Sequence, residues 1–93
     1  MLRYQSIFAR KILENQAPHS EQVMNYIGPR VREIRIEKTL SQKDLTAKCN
    51  VLGWDISRGT LAKIESKNRR ISDIEVIHLA KALSVDIEAL FKL

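Results

Sequence analysis

The apolar residues of this chain recur at helical intervals. Most of the segments in which they recur begin at a residue type that often caps a helix. Ser41 is followed three positions later by Asp44, and Ser72 by Glu75. Each serine can cap a helix while the acidic side chain reaches back to the serine amide. Ser57 is a third N-cap candidate. Because no stretch alternates apolar and polar residues for long enough to argue a strand, the sequence predicts an all-α fold.

Five helices are expected after residue 27. The first contains Pro29 in its opening turn and runs to about Lys38. The second runs from Ser41 toward Gly53, a natural left-handed terminator. The third spans residues 57–66, the fourth follows residue 72, and Asp86 caps the fifth. The residues expected in the core are Val31, Ile34, Leu45, Cys49, Leu52, Leu61, Ile64, Ile74, Ile77, Ala80, Leu83, Ile87 and Leu90, with Phe91 as a further candidate.

Residues 1–27 form an N-terminal extension in this interpretation, and residues 28–93 form the domain. A helix is expected over residues 6–15 and ends before Ala17-Pro18, since the residue before a proline avoids the helical region. A second helix start at Ser20 leads through Met24 and Tyr26. Three roles stay open for the extension: packing on the core, forming a dimer contact, or remaining loose.

The length of 93 residues suits one domain and leaves little chain for a catalytic cleft beside the core. Apolar residues make up 44% and charged residues 29%, which is typical of a folded protein. No apolar run approaches the roughly 20 residues that cross a bilayer. Charged residues near the N-terminus argue against a signal peptide. We therefore expect a cytoplasmic protein that does not contact membranes.

Cys49 is the only cysteine, so an internal disulfide is impossible. With only His19 and His78 beside it, no metal-ligand cluster has a recognisable spacing. The acidic residues are explained as helix caps or exposed charges, which leaves no candidate catalytic group. We expect no metal, no cofactor and no enzymatic activity.

The net charge of +5 is unevenly distributed along the chain. Residues 57–70 contain five basic residues against one acidic residue, whereas residues 71–93 contain two against four. At helical spacing, Leu61 and Ile64 fall on one side of the third helix, and Arg58, Gly59 and Lys63 on another. A surface that faces a polyanion explains this asymmetry, and a solvated run of charges is the alternative.

Four blocks of sequence occur in the order of a known family. They are GPRVREIR (28–35), LSQKDL (40–45), ISRGTLAKIE (56–65) and LAKALSV (79–85) followed by Leu90-Phe91. Over residues 28–91 the chain resembles the phage-repressor, Cro-like (XRE-type) helix-turn-helix domains. The resemblance implies a five-helix repressor-like bundle. It also implies a sequence-specific double-stranded DNA-binding transcriptional regulator, of repressor type, that acts as a homodimer and is nucleoid-associated when bound.

In such domains the second helix of the motif lies in the major groove. The resemblance therefore assigns DNA contacts to Gln42, Ser57, Arg58, Gly59, Thr60, Lys63, Lys67, Arg69 and Arg70. Arg58 is the first candidate for reading bases, because a guanidinium can donate two hydrogen bonds to guanine, and Lys63 is the second. Gly59 permits close approach. The hydroxyls of Ser57 and Thr60 can donate to phosphate or cap the helix.

The resemblance also assigns supporting roles. By this resemblance, Gln42 is expected to bind a phosphate and to brace the recognition helix. A second phosphate clamp is expected from Arg69 and Arg70. Peripheral contacts with DNA are expected from Arg30 and Arg32. Arg35 and Glu65 resemble the positions that form an internal ion pair in this family. The final helix, with Leu90, Phe91 and Leu93, and the N-terminal extension are the two candidates for the dimer contact.

The chain departs from the family in the connector between the two motif helices, which is several residues longer around residues 51–55. Trp54 in this connector either packs across the helix edge or is exposed at a contact surface, and packing is favoured because a buried indole contributes a large apolar area. The leading rival function is an antitoxin-like or adaptor module, which binds a protein partner through the basic helix or the N-terminal extension. A nuclease lacks a candidate metal pair, and RNA binding lacks aromatic residues for stacking.

Overall fold

The helices begin where the sequence places their caps. The structure is a computed structural model that describes residues 24–92. Its helices are α1 (Gly28–Glu37), α2 (Gln42–Val51), α3 (Arg58–Glu65), α4 (Asp73–Leu83) and α5 (Ile87–Phe91). Residues 24–92 contain no strand, so the predicted all-α fold of five helices is confirmed. No helix in this part of the chain is long and apolar enough to span a membrane.

Two reciprocal capping boxes start α2 and α4. The Ser41 hydroxyl accepts a hydrogen bond from the Asp44 amide at 2.9 Å, and the Asp44 carboxylate accepts one from the Ser41 amide at 2.9 Å. The corresponding distances between Ser72 and Glu75 are 3.3 and 3.1 Å. Each box satisfies two backbone donors that the helix leaves without a partner. Asp86 occupies the N-cap of α5 as predicted, but its side chain forms no capping hydrogen bond.

The core lies between all five helices and includes two residues from the connecting segments. Its buried apolar residues are Ile27, Val31, Ile34, Leu45, Cys49, Ile56, Leu61, Ile64, Leu79, Ala80, Ala82, Leu83 and Leu90. Burial raises the pKa of the Cys49 thiol to about 11. The thiol therefore stays protonated, and Cys49 acts as a small core residue, as predicted.

Five residues predicted in the core are exposed instead: Leu52, Ile74, Ile77, Ile87 and Phe91. The buried residues of α4 are Leu79, Ala80, Ala82 and Leu83, so Ala80 and Leu83 are confirmed in the core while Leu79 and Ala82 are buried in place of Ile74 and Ile77. Periodicity identifies an apolar side of a helix, but the packing partners decide which neighbouring stripe is buried.

The other three residues that were wrongly predicted in the core lie near helix ends. Leu52 follows the last residue of α2 and lies in the turn, and Ile87 is the first residue of the single-turn helix α5. Within α5 only Leu90 is buried.

Residues 24–27 pack on the domain without forming a helix. The predicted helix over residues 6–15 and the start at Ser20 lie outside the described residues, but the expected helical continuation through Met24 and Tyr26 is wrong. Asn25 and Ile27 are buried, and the Ile71 amide donates to the Met24 carbonyl at 2.9 Å. These buried positions bring the segment before α1 into the fold. The boundary between residues 27 and 28 stays a prediction.

Candidate nucleic-acid interface

Helix α3 has one buried side and one exposed side. Leu61 and Ile64 are fully buried, and Arg58, Gly59 and Lys63 are exposed. At about 100° per residue, Gly59 and Ala62 fall between the two cationic side chains around the helix. The exposed arc therefore carries a guanidinium and an ammonium separated by small residues, so that another surface can approach the helix closely.

The first turn of α3 is held by Ser57. Its hydroxyl accepts from the Thr60 amide at 3.1 Å and contacts the Thr60 hydroxyl at 3.0 Å. The amides of Arg58 and Gly59 lie in the same turn, where backbone donors have no acceptor inside the helix. This end of α3 can therefore donate to an anion, with Ser57 and Thr60 fixing its geometry.

Gly59 is not required by the fold. A Cβ built on Gly59 would have the Ser57 hydroxyl as its nearest neighbour, at 3.9 Å. A helical conformation needs no glycine, and an alanine there would favour the helix. Within the described residues, the fold therefore leaves room for a side chain at this position.

A buried charge cluster attaches α3 to the first two helices. Arg35 donates to both carboxylate oxygens of Glu65, at 2.7 and 3.1 Å, and to the Leu40 carbonyl at 2.8 Å. The Gln42 amide donates to Glu65 at 3.0 Å. The predicted ion pair and the predicted bracing by Gln42 are both present. Because an amide nitrogen carries two hydrogens, Gln42 can brace α3 and still donate to a phosphate.

The loop after α3 begins with a lysine in a conformation that favours glycine. Lys67 has a φ of 65°, and its amide donates to the Ile64 carbonyl at 3.1 Å. The Asn68 amide donates to the Lys63 carbonyl at 2.8 Å. These bonds end α3 and leave the Lys67 side chain exposed. A non-glycine residue in this conformation costs about 1 kcal/mol.

Arg69 and Arg70 have different surroundings. Arg69 forms two hydrogen bonds of 3.0 Å with the Glu75 carboxylate, whereas Arg70 is exposed. These hydrogen bonds lower the pKa of Glu75 and raise that of Arg69. The structure thus places Arg69 against Glu75 in the first turn of α4, and within residues 24–92 Arg70 and Lys67 form no salt bridge. Phosphate binding by Arg69 stays a prediction.

The long connector between α2 and α3 is held by its own hydrogen bonds. Gly53 has a φ of 94°, which permits the turn. The Asn50 side chain donates to the carbonyls of Trp54 and Ile56 at 2.9 and 3.3 Å. Trp54 stacks on His78 of α4 with ring centroids 5.7 Å apart, so the packed alternative for Trp54 is confirmed. The role of Asn50 was not predicted from the sequence, although an asparagine shortly before a glycine is a typical turn signal.

Asn25 is a second residue whose role was not predicted from the sequence. Its side-chain nitrogen donates to the Ile64 and Arg69 carbonyls at 2.8 and 2.9 Å, and its oxygen accepts from the Gly28 amide at 2.8 Å. A Cβ on Gly28 would lie 2.1 Å from the Ile64 carbonyl oxygen. An asparagine three residues before a helix is typical of a capping residue. The sequence around Asn25 does not indicate its other partners, because these lie far along the chain.

The two arginines predicted at the periphery lie on α1. Arg30 donates to the Ala89 carbonyl of α5 at 3.0 Å and pairs with Glu33 at 3.1 Å, whereas Arg32 is exposed. Arg30 therefore joins α1 to α5, and Arg32 is the more accessible of the two.

The fold and the exposed cationic helix agree with the comparison with protein families. The model of the family described as helix-turn-helix matches residues 31–90, which run from α1 into α5. No curated protein and no solved structure matches the chain significantly. The match covers most of the chain and includes the α2–connector–α3 unit. The chain belongs to the helix-turn-helix family, of the XRE or Cro-like type, which consists of DNA-binding transcriptional regulators.

Proposed function

We propose that the protein is a sequence-specific double-stranded DNA-binding transcriptional regulator that inserts α3 into the major groove. Arg58 and Lys63 are the residues that meet base edges, and Gly59 lets the helix backbone approach them. Gln42, Ser57, Thr60, Lys67 and Arg70 contact phosphates, with Arg69 as a further candidate.

One observation carries this proposal: the basic arc of α3 is exposed while the opposite side of the same helix is anchored. Leu61 and Ile64 are fully buried and Glu65 is bonded to Arg35 and Gln42. A helix held in this way presents Arg58 and Lys63 from a rigid support. Rigid support matters because direct readout depends on hydrogen bonds with well-defined geometry.

The same proposal includes a homodimer that represses transcription by occupying an operator, in the cytoplasm and on the nucleoid. Two-fold symmetric operators suit a pair of recognition helices about one DNA turn apart. Of the dimer candidates on α5, Leu90 is buried within its own protomer. Phe91 is exposed and stacks on Tyr26 with centroids 6.1 Å apart, which makes this pair the more available contact.

The test begins with selection of bound sequences from random duplex DNA, which reveals the operator and any half-site symmetry. Fluorescence anisotropy then measures affinity for operator and random DNA. Arg58→Ala should reduce discrimination between them by about 1–3 kcal/mol, because it removes a base contact. Arg70→Ala should weaken both similarly. Equal losses on both DNAs for Arg58→Ala would reject its base-reading role.

A matched control removes one positive charge from a different surface. Lys81 is exposed on α4, where it lies beside Leu52. Lys81→Ala should leave both affinities nearly unchanged. If the unmodified protein binds no duplex even at about 50 mM salt, where phosphate contacts are strong, the adaptor or antitoxin-like function is favoured instead.

A further inference from the structure

Asn25 is a buried polar residue outside the proposed DNA contacts, and all its side-chain groups are engaged. Its exposed fraction is 4%. The side-chain nitrogen donates to the Ile64 carbonyl at 2.8 Å and to the Arg69 carbonyl at 2.9 Å. The oxygen accepts from the Gly28 amide at 2.8 Å. One side chain therefore joins the start of α1, the last turn of α3 and the end of the 67–70 loop.

The neighbouring residues reinforce this connection. Gly28 lies so close to α3 that a Cβ there would overlap the Ile64 carbonyl oxygen. The Met24 carbonyl accepts from the Ile71 amide at 2.9 Å, so the segment before α1 also holds the residue that follows the loop. The loop is thus attached on its inner side, while Lys67 and Arg70 remain exposed.

We propose that Asn25 is a positioning residue for DNA recognition, which fixes the 67–70 loop relative to α3. This inference rests on the proposed function. A specific complex requires the base contacts of α3 and the phosphate contacts of Lys67 and Arg70 at the same time. Random DNA is bound chiefly through phosphates, which tolerate small displacements of the loop. Losing the Asn25 bonds should therefore harm operator binding more than random binding.

Two substitutions separate the donor from the acceptor of the Asn25 side chain. Asn25→Asp keeps an oxygen for the Gly28 amide but places a second oxygen against the carbonyls of Ile64 and Arg69. Asn25→Ala removes all three bonds. Both should reduce the ratio of operator to random affinity by about fivefold to tenfold. Random affinity should change by less than about twofold in Asn25→Ala, whereas the added negative charge of Asn25→Asp also weakens random binding.

The control must lower stability without removing a hydrogen bond to α3 or its loop. Val76 is a partly buried residue of α4 that packs against the core, so Val76→Ala should destabilise the fold by loss of apolar contacts. Urea unfolding places all variants on one stability scale, and anisotropy is measured where circular dichroism shows each to be folded. Val76→Ala should keep the wild-type affinity ratio. If Asn25→Ala does not fold, Asn25→Ser takes its place.

The outcomes distinguish this inference from the function on which it rests. If wild-type protein does not discriminate between operator and random DNA, or Arg58→Ala leaves discrimination unchanged, the proposed function fails. If Arg58→Ala lowers discrimination but the Asn25 variants keep the wild-type ratio or merely match Val76→Ala, only the positioning role fails. A second measurement is amide exchange at Lys67 and Asn68, which should accelerate in Asn25→Asp; unchanged exchange also rejects the role.

Discussion

At the scale of single residues, the charge of Glu65 is the most consequential for the position of α3. The Glu65 side chain is 3% exposed and that of Arg35 is 10% exposed. Burying two charges is costly, and their attraction offsets this cost only when the hydrogen bonds around them are complete. The bonds from Arg35 and Gln42 meet that requirement at Glu65.

Glu65→Ala should lower the free energy of unfolding by about 3–5 kcal/mol, because it leaves the Arg35 charge buried without its partner. Urea unfolding followed by circular dichroism measures the loss. The double variant Arg35→Met/Glu65→Leu should recover much of it, since neither residue then carries a buried charge. A double variant less stable than Glu65→Ala would show that the unpaired charge is not the cause.

Gly59→Ala should have opposite effects on folding stability and on DNA affinity. Because the added methyl meets no close atom, the substitution should stabilise the protein by about 0.5–1 kcal/mol through helix propensity. DNA affinity should fall, since the methyl lies on the arc proposed to face the groove. Thermal unfolding and anisotropy measure the two effects. Unchanged or tighter DNA binding would show that Gly59 does not face the duplex.

At the scale of elements, the connector and the caps decide how the helices are joined. The capping boxes are local, since each serine and its acidic partner are separated by only three positions. The connector depends on a local and a distant contact: Asn50 at the end of α2 donates to its backbone, and Trp54 stacks on His78 of α4. These contacts attach the connector to both α2 and α4.

Asn50→Ala should lower the free energy of unfolding by about 1–2 kcal/mol, because two carbonyls lose their side-chain donor. Hydrogen exchange should also accelerate at the Trp54 and Ile56 amides. Asn68→Ala is the matched control, since the Asn68 side chain donates at 2.9 Å to the exposed Ser66 hydroxyl. Equal effects of the two substitutions would contradict a special role for Asn50 in the connector.

The Arg69–Glu75 pair makes the stability of the α3–α4 junction depend on pH. Hydrogen bonding to Arg69 is the largest cause that lowers the pKa of Glu75 below the ordinary value of 4.5. A carboxyl with a lowered folded pKa stabilises the fold fully above its unfolded pKa. That contribution is lost as the pH falls through the folded pKa.

Glu75→Gln should therefore cost about 1 kcal/mol at pH 7, because it removes the ion pair and weakens the cap of α4. The difference from the unmodified protein should shrink once the pH falls below about 4.5. Urea unfolding across a pH series measures both. A difference that stays constant from neutral to acidic pH would exclude the Glu75 carboxylate as its source.

At the scale of the whole molecule, the distribution of charge matters more than its sum. The positive charge of residues 57–70 lies on α3 and the following loop, and residues 71–93 are net acidic. Under the proposed function, a phosphate backbone would meet α3 and the loop that follows it. Binding through such a surface releases counterions, so affinity falls as salt rises.

The slope of log affinity against log salt should become shallower by about 1 for each phosphate contact removed. Lys67→Gly should make the slope shallower by about 1. It should also raise stability by about 0.5–1 kcal/mol, because glycine adopts the left-handed conformation at this position without strain. Anisotropy over a salt series gives the slope, and Lys81→Ala should keep that of the unmodified protein. A Lys67→Gly slope equal to the wild-type slope would remove Lys67 from the contact surface.

The sequence by itself determined the features that depend on neighbours within one or two helical turns. The acidic residues three positions after Ser41 and Ser72 identify these serines as helix N-caps. The spacing of Leu61 and Ile64 identifies the buried side of α3. The resemblance to Cro-like domains added the Arg35–Glu65 pair and the bracing by Gln42. Within residues 24–92, these expectations agree with the structure.

Tertiary structure decided the features that depend on packing between distant segments. It exposed Ile74 and Ile77 and buried Leu79 and Ala82 of α4 in their place, and it placed Arg69 on Glu75 instead of leaving it free. It also brought Asn25 to the end of α3, across 39 positions of sequence. Local patterns fix where a helix begins and which side is apolar. The partner of a buried donor is chosen only when the helices assemble, because only then do distant carbonyls come within hydrogen-bonding distance.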